Sequence, residues 1–250
     1  MVNIGNIQLG FWDIMLFVAV SVQAVMVAYL YDPRWKALLY TLPIPFTISS
    51  MSIGQRIGAS NALGLIFLMI FSHLVRLLYY RLRVPIVLSI IISAALYCVL
   101  SLATAKILPQ SESAFWLCVL GVAAMAFLYR AVVRADEDQG QKSTLAVWLK
   151  VPAICVVVAI LIVLKHRMGG FMTAFPMVGV IVAYETRKSL GTICRQMPVL
   201  MLTILVLTIV SHVTSPHIGL GPSIALAWPC FGLSLYLGNR FLINPHPKFK

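Results

Sequence analysis

The sequence predicts an all-α fold: a polytopic integral membrane protein of about nine transmembrane helices, built as two inverted four-helix repeats joined by a connecting helix. Three observations predict it. The chain is 61% hydrophobic and 10% charged, with a mean hydropathy of +0.96, and apolar runs long enough to cross a bilayer recur along it. Its lysines and arginines gather in alternate loops. Two proline-interrupted apolar stretches also recur in matching places of the two halves.

The first span is expected at 9–30, ended by Asp32-Pro33-Arg34. No basic stretch precedes it and no small-residue cleavage pattern follows, so it reads as a retained span and not a signal peptide. The second, 36–55, carries Leu42-Pro43-Ile44-Pro45-Phe46-Thr47-Ile48-Ser49-Ser50 inside an apolar run. The third, 62–80, ends in a basic patch of Arg76, Arg81 and Arg83. The fourth, 85–105, opens at Pro85, a good first-turn residue because its missing donor would be orphaned there anyway.

A polar link, Pro109-Gln110-Ser111-Glu112-Ser113, leads to a fifth span at 114–133. The one extended hydrophilic loop follows at 134–143, with the acidic triplet Asp136-Glu137-Asp138. It divides the chain into a first membrane repeat at 1–108, a connecting helix and loop at 109–143, and a second repeat with a basic tail at 144–250. The second repeat holds spans at 144–164, 171–185, 197–213 and 222–238. The seventh span is short: fifteen residues of helix cover about 23 Å, against about 30 Å of hydrocarbon. Gly169 and Gly170 beside it suggest a broken or tilted segment.

Fourteen lysines and arginines fall in one set of loops and four in the other, with Lys150 inside the sixth span. By the positive-inside rule the N-terminus lies outside and the C-terminus in the cytoplasm, in a plasma membrane of the bacterial inner-membrane kind. The formal net charge of +12 is therefore topological. It lacks the clustering of a nucleic-acid footprint, so no nucleic-acid partner is expected.

The repeat is read from Pro43 and Pro176, which open runs reaching Gly58 and Gly191 after the same interval. An odd connector between two even units inverts the second. A proline inside a spanning helix removes a donor and frees a carbonyl, which in lipid must face protein or a water-filled cavity. A substrate site is therefore expected where spans two and seven meet near the midplane, at Pro43, Thr47, Ser49, Ser50, Ser52, Pro176 and Tyr184. The hydroxyl row from Thr47 to Ser52 has two readings. It either lines a polar cavity or satisfies helix carbonyls and glues spans together.

Glu185, His73 and His212 are the candidates for proton coupling. For Glu185 the alternative is a solvated helix end paired with Arg187 or Lys188, and for each histidine a hydrogen-bonded core position. Asp13 and Lys150 read as reaching headgroups. The five cysteines stand singly, without metal-ligand spacing, and read as small core residues. No nucleophile–base pair, phosphate loop or metal cluster is present in the sequence, so no catalytic residues, metal, cofactor or enzymatic role is expected.

The run Phe175-Pro176, Ala183-Tyr184-Glu185 and the later Gly221-Pro222, followed by a small-residue helix containing Trp228, resembles the small GlpM-like bacterial membrane proteins. The first unit, through Leu42-Pro43-Ile44-Pro45-Phe46-Thr47, is similar in outline. The chain thus looks like a fused tandem of that family, which tends to carry a histidine-tyrosine pair where this chain has Tyr184-Glu185. The resemblance implies a membrane fold and a link to envelope metabolism, and it transfers no catalytic residue. Two functions follow from the sequence: a small-solute transporter, or a non-transporting subunit or scaffold of an envelope-biosynthesis complex. The expected partners are the lipid bilayer, a small solute of unknown identity, and a second copy of the chain or an envelope-complex protein.

Overall fold

A computed structural model of the chain describes residues 2–4, 7–30, 33–132, 167–238 and 240. The described residues are mainly helical, with short connections between helices and a short antiparallel ribbon in which Val2–Ile4 pairs with Ile7–Leu9 ahead of the first helix. The helices are α1 (Phe11–Tyr29), α2 (Pro33–Thr41), α3 (Ile44–Ile53), α4 (Ala59–Arg76), α5 (Ile86–Ala105), α6 (Glu112–Val132), α7 (Met177–Glu185), α8 (Leu190–Ile218) and α9 (Leu220–Gly238). A π turn, Leu77–Arg81, extends α4, and a 3-10 segment, Gly169–Ala174, precedes α7. The predicted sixth span and the acidic triplet lie outside the described residues.

Five helices are long and apolar enough to cross a membrane: Ala59–Arg81, Ile86–Ala105, Glu112–Arg130, Leu190–Ile218 and Leu220–Gly238. Three shorter apolar stretches, Phe11–Val27, Leu38–Ile53 and Gly169–Glu185, fall on the predicted first, second and seventh spans. The protein is a helical membrane protein.

Its helices divide into a central set and a peripheral set. Along α4 the side chains of Ala62, Leu65, Leu68, Phe71 and Val75 are buried, as are Met197, Leu200, Met201, Leu205 and Leu207 along α8. The outer faces of α5, α6 and α9 instead expose Val87, Ile91, Val99, Leu117, Leu120, Leu128 and Leu233. An apolar face left open in this way is suited to hydrocarbon, where it loses nothing by exposure. Around the centre, α4 packs on α5, α6, α8 and the 3-10 segment, while α8 packs on α2, α4, α6 and α9.

Two helices are interrupted. α2 stops at Thr41 and α3 starts at Ile44, with Pro43 between them at φ −82°, ψ 30°. A residue before proline is pushed away from the helical region, and Pro43 has no N–H to continue the ladder. Pro45 then sits in the first turn of α3, where its missing donor costs nothing. The second interruption repeats this chemistry: Phe175 is extended at φ −59°, ψ 136°, and Pro176 precedes α7 at φ −73°, ψ 54°. α3 itself ends at Gly54, whose φ of 67° lies in the left-handed region that glycine reaches without strain.

The 3-10 segment is held by close backbone approach. A Cβ built on Gly170 would lie 2.2 Å from Ser60 Oγ and 2.6 Å from Asn61 Oδ1, both on buried side chains of α4. Gly170→Val is therefore expected to destabilise the fold by about 1–3 kcal/mol, the range for overpacking a filled interior. A drop in the thermal unfolding midpoint of the purified protein in detergent checks this, and an unchanged midpoint would show that the segment can shift aside.

Candidate functional site

Both interruptions open on one place. A cavity of about 40 Å³ is lined by Pro43, Pro45 and Phe46 from the first break, by Thr173 through Val178 from the second, and by Tyr40, Leu42, Leu68, Leu200 and Ile204. That volume holds at least one water molecule. The two broken helices cross there in opposite directions. Lys36, near the start of α2, meets Glu185 at the end of α7, while Gln55, just past α3, approaches Gly169 at the start of the 3-10 segment.

The carbonyls freed at the breaks are met by donors from other helices. Tyr97 of α5 donates its hydroxyl to Phe171 O at 2.8 Å. The Asn61 amide reaches Gly170 O at 3.4 Å and Thr173 Oγ1 at 3.1 Å, while its Oδ1 accepts from Gly58 N–H at 2.8 Å. Thr173 donates to Gly170 O at 2.7 Å. On the other break, Gln23 of α1 donates to Leu39 O at 2.7 Å, and Thr41 to Leu38 O at 2.6 Å. Rings reinforce the arrangement: Phe67 stacks on Phe171 with centroids 5.4 Å apart, and Tyr97 meets Phe175 edge-on at 5.1 Å.

The site residues expected from the sequence fall into two groups. Pro43 and Pro176 line the cavity together. Thr47, one turn into α3, accepts a hydrogen bond from Trp228 Nε1 at 3.1 Å, tying α9 to the broken helix. The serines do not reach the cavity. Ser49 donates to Pro45 O at 2.5 Å and Ser50 to Phe46 O at 2.7 Å, both within α3. This is the second reading of the hydroxyl row, in which a short side chain bonds a carbonyl of its own helix one turn back. Ser52 donates to the Asp13 carboxylate of α1. Asp13 does not reach for headgroups: it is 2% exposed and also accepts from Gly10 N–H at 2.9 Å. Tyr184 lies away from the cavity, half-buried under the Arg187 guanidinium, which sits 5.1 Å from its ring centroid.

The coupling candidates are spread out. His73 hydrogen-bonds Met69 O through Nδ1 at 2.8 Å and Tyr129 through Nε2, at the junction of α4 and α6. His212 hydrogen-bonds Ile57 O at 2.6 Å and approaches Glu112 Oε1 at 2.9 Å, joining α8, α6 and the turn before α4. Glu185 is buried, but its cation is neither Arg187 nor Lys188. Lys36 Nζ lies 3.9 Å from Glu185 Oε2 and 3.4 Å from Glu185 O, with side chains 1% and 0% exposed. No group of three or more potential metal ligands occurs among the described residues.

Tyr40, Asn61, Gln23 and Lys36 escaped the sequence reading. Lys36 is one of the fourteen basic residues counted in one set of loops. Ser60-Asn61 just after Gly58 was the available signal, since an amide so close to an apolar run must find partners inside it. The chain matches no protein-family model, no curated protein and no solved structure.

A buried ion pair rarely stabilises relative to apolar residues, yet leaving one member alone strands a charge in a low dielectric. Lys36→Met is expected to destabilise the protein by about 3–5 kcal/mol. The double variant Lys36→Met, Glu185→Leu should recover most of that loss. Denaturant unfolding of both variants in detergent checks the coupling, and additive losses would show that the two side chains act independently.

Proposed function

We propose that the protein is a small-solute membrane transporter whose site is the crossing of its two broken helices. The observation that carries the reading is the shared cavity: two separate proline breaks, far apart in sequence, open on one water-sized space. Each half-helix of nine or ten residues covers only about 14–15 Å, about half the hydrocarbon thickness, so the breaks fall near the membrane midplane.

We read the chain further as two inverted units, and the contacts between their broken helices fit that reading. α4 packs against the first half of the seventh span, the 3-10 segment, and α8 packs against α2, the first half of the second span. Each unit's third helix thus clasps the other unit's broken helix. The first intrahelical bond after each break is also the same, Thr47 N–H to Pro43 O at 2.8 Å and Val180 N–H to Pro176 O at 2.9 Å. In such folds one unit rocks against the other around a fixed site. Lys36–Glu185 ties the units together at one end of the crossing, and the His212 bond to Ile57 O ties them at the other. Alternating access would release one tie at a time. In this reading the end that holds Lys36–Glu185, near Arg187 and Lys188, faces the cytoplasm, as the positive-inside rule expects.

A non-transporting subunit or scaffold of an envelope complex is the second reading. The donors from Tyr97, Asn61 and Gln23 favour it, since they satisfy much of each break internally. Single cysteines at Phe46, Thr173 and Val178, in a background lacking all five native cysteines, decide between the two. Transport predicts that the same positions react with a membrane-impermeant thiol reagent from opposite sides under different conditions. Unreactive positions from both sides would leave the subunit reading in its place.

A further inference from the structure

His73 and His212 have partners of different kinds. At His73, Nδ1–H donates to Met69 O at 2.8 Å and the Tyr129 hydroxyl can donate to Nε2, so a neutral ring satisfies both contacts. At His212 both partners only accept. Nδ1 lies 2.6 Å from Ile57 O, and Nε2 lies 2.9 Å from Glu112 Oε1. A neutral imidazole has a single N–H, so it would bond one of these oxygens and turn a lone pair to the other. Only the imidazolium, protonated at both nitrogens, serves both.

The packing around the ring points the same way. Phe115, one turn along α6 from Glu112, lies flat on the imidazole, with centroids 3.6 Å apart and planes 15° from parallel. The face of an aromatic ring carries negative charge density and attracts a cation set over it. Glu112 is the ionised partner, since its side chain is 61% exposed and Arg56 adds a second positive charge nearby. Other ionisable groups stand further off. His217 lies more than a turn on along α8 and is exposed, as is Arg167 ahead of the 3-10 segment. On α4 the first ionisable side chain is His73 and on α9 it is Cys230, while Lys36 of α2 meets Glu185 at the other end of the crossing.

We propose that His212 is a proton-binding site that latches α6. Doubly protonated, the ring joins the first turn of α6 to α8 and to the turn before α4. When one proton leaves, the two bonds fare differently. Water can replace the bond to the exposed Glu112 carboxylate, whereas Ile57 is 1% exposed and its carbonyl would be stranded. The remaining proton therefore stays on Nδ1, the Ile57 bond persists, and the first turn of α6 is released from α8. The proton thus governs α6 and leaves α8 tied to the turn before α4, whichever function the chain performs.

The test follows the full chain in detergent, with its histidine rings labelled with ¹⁵N, by NMR across about pH 5 to 8, the range in which histidine changes charge. The His212 signals are identified by their loss in His212→Gln, or by their displacement in Phe115→Leu, which removes the stacked ring. They are expected to show two protonated nitrogens at the acid end and the Nδ1–H tautomer at the alkaline end. Glu112→Gln, an exposed substitution that keeps an acceptor and removes the charge, should let the second proton leave at a lower pH. A ring of unchanging charge across the range, neutral or cationic, overturns the switch. A Glu112→Gln protein that titrates like wild type overturns the pairing, and an alkaline form protonated on Nε2 overturns the latch, because Glu112 would then be kept and Ile57 let go. The wild-type titration and its alkaline tautomer decide even if Glu112→Gln does not fold.

Discussion

Backbone polarity in a solvent without water is the constraint on which this structure depends. A continuous spanning helix meets it alone; a broken one cannot. Once Pro43 and Pro176 interrupt two helices, the stranded groups must be answered from elsewhere, and the answers fix how the other helices sit. Tyr97 brings α5 to the 3-10 segment, Asn61 brings the start of α4, and Gln23 brings α1 to the end of α2. The packing around the crossing is therefore specified by hydrogen bonds more than by apolar fit, because lipid tails compete with side chains for apolar contact but not for these donors.

That division of labour explains why the helices differ in character. α4 and α8 run through the centre and carry serines, threonines and an asparagine on buried faces, such as Ser72, Thr203 and Thr208. The hydroxyls of these three bond carbonyls one turn back, as Thr203 does to Val199 O at 2.8 Å, so they add no unmet group. α5, α6 and α9 turn apolar faces outward, and Tyr97 and Ser93 of α5 face inward. The glycines at 64 and 170 let backbones approach where a side chain would collide: a Cβ on Gly64 would lie 2.8 Å from that of Ala174.

Much of the fold was legible in the sequence because it is written in strong local terms. Apolar run length places spans, and proline before or within a run places breaks, so the interruptions near Pro43 and Pro176 were readable without any tertiary information. The eighth span was read too short: α8 runs through Leu190–Ile218 despite Pro198 and Pro216 within it, since a helix inside protein tolerates prolines whose stranded carbonyls find other partners. The site was less legible. A serine in an apolar run looks the same whether it faces a cavity or its own helix, and Ser49 and Ser50 face their own helix. Glu185 stood out in the sequence but with Arg187 or Lys188 as its neighbouring cations; only the opposite course of the two broken helices brings Lys36 to it. Tyr40 carried no signal at all, because a tyrosine near a span end is commonly an interfacial anchor.

The Lys36–Glu185 contact also bears on how the molecule is made. The two residues are 149 positions apart, so Lys36 enters the membrane region long before its carboxylate has been synthesised. During that interval its ammonium has no place in a dry interior and must stay with headgroups or water. α2 and α3 therefore cannot settle into their crossed position until α7 arrives, and the core of the molecule closes last. Biogenesis becomes a sequence in which the lipid-facing α5 and α6 insert early and the centre is completed from the C-terminal half. A chain cut before Glu185 would hold its first unit open, with the amine of Lys36 still turned to the surface.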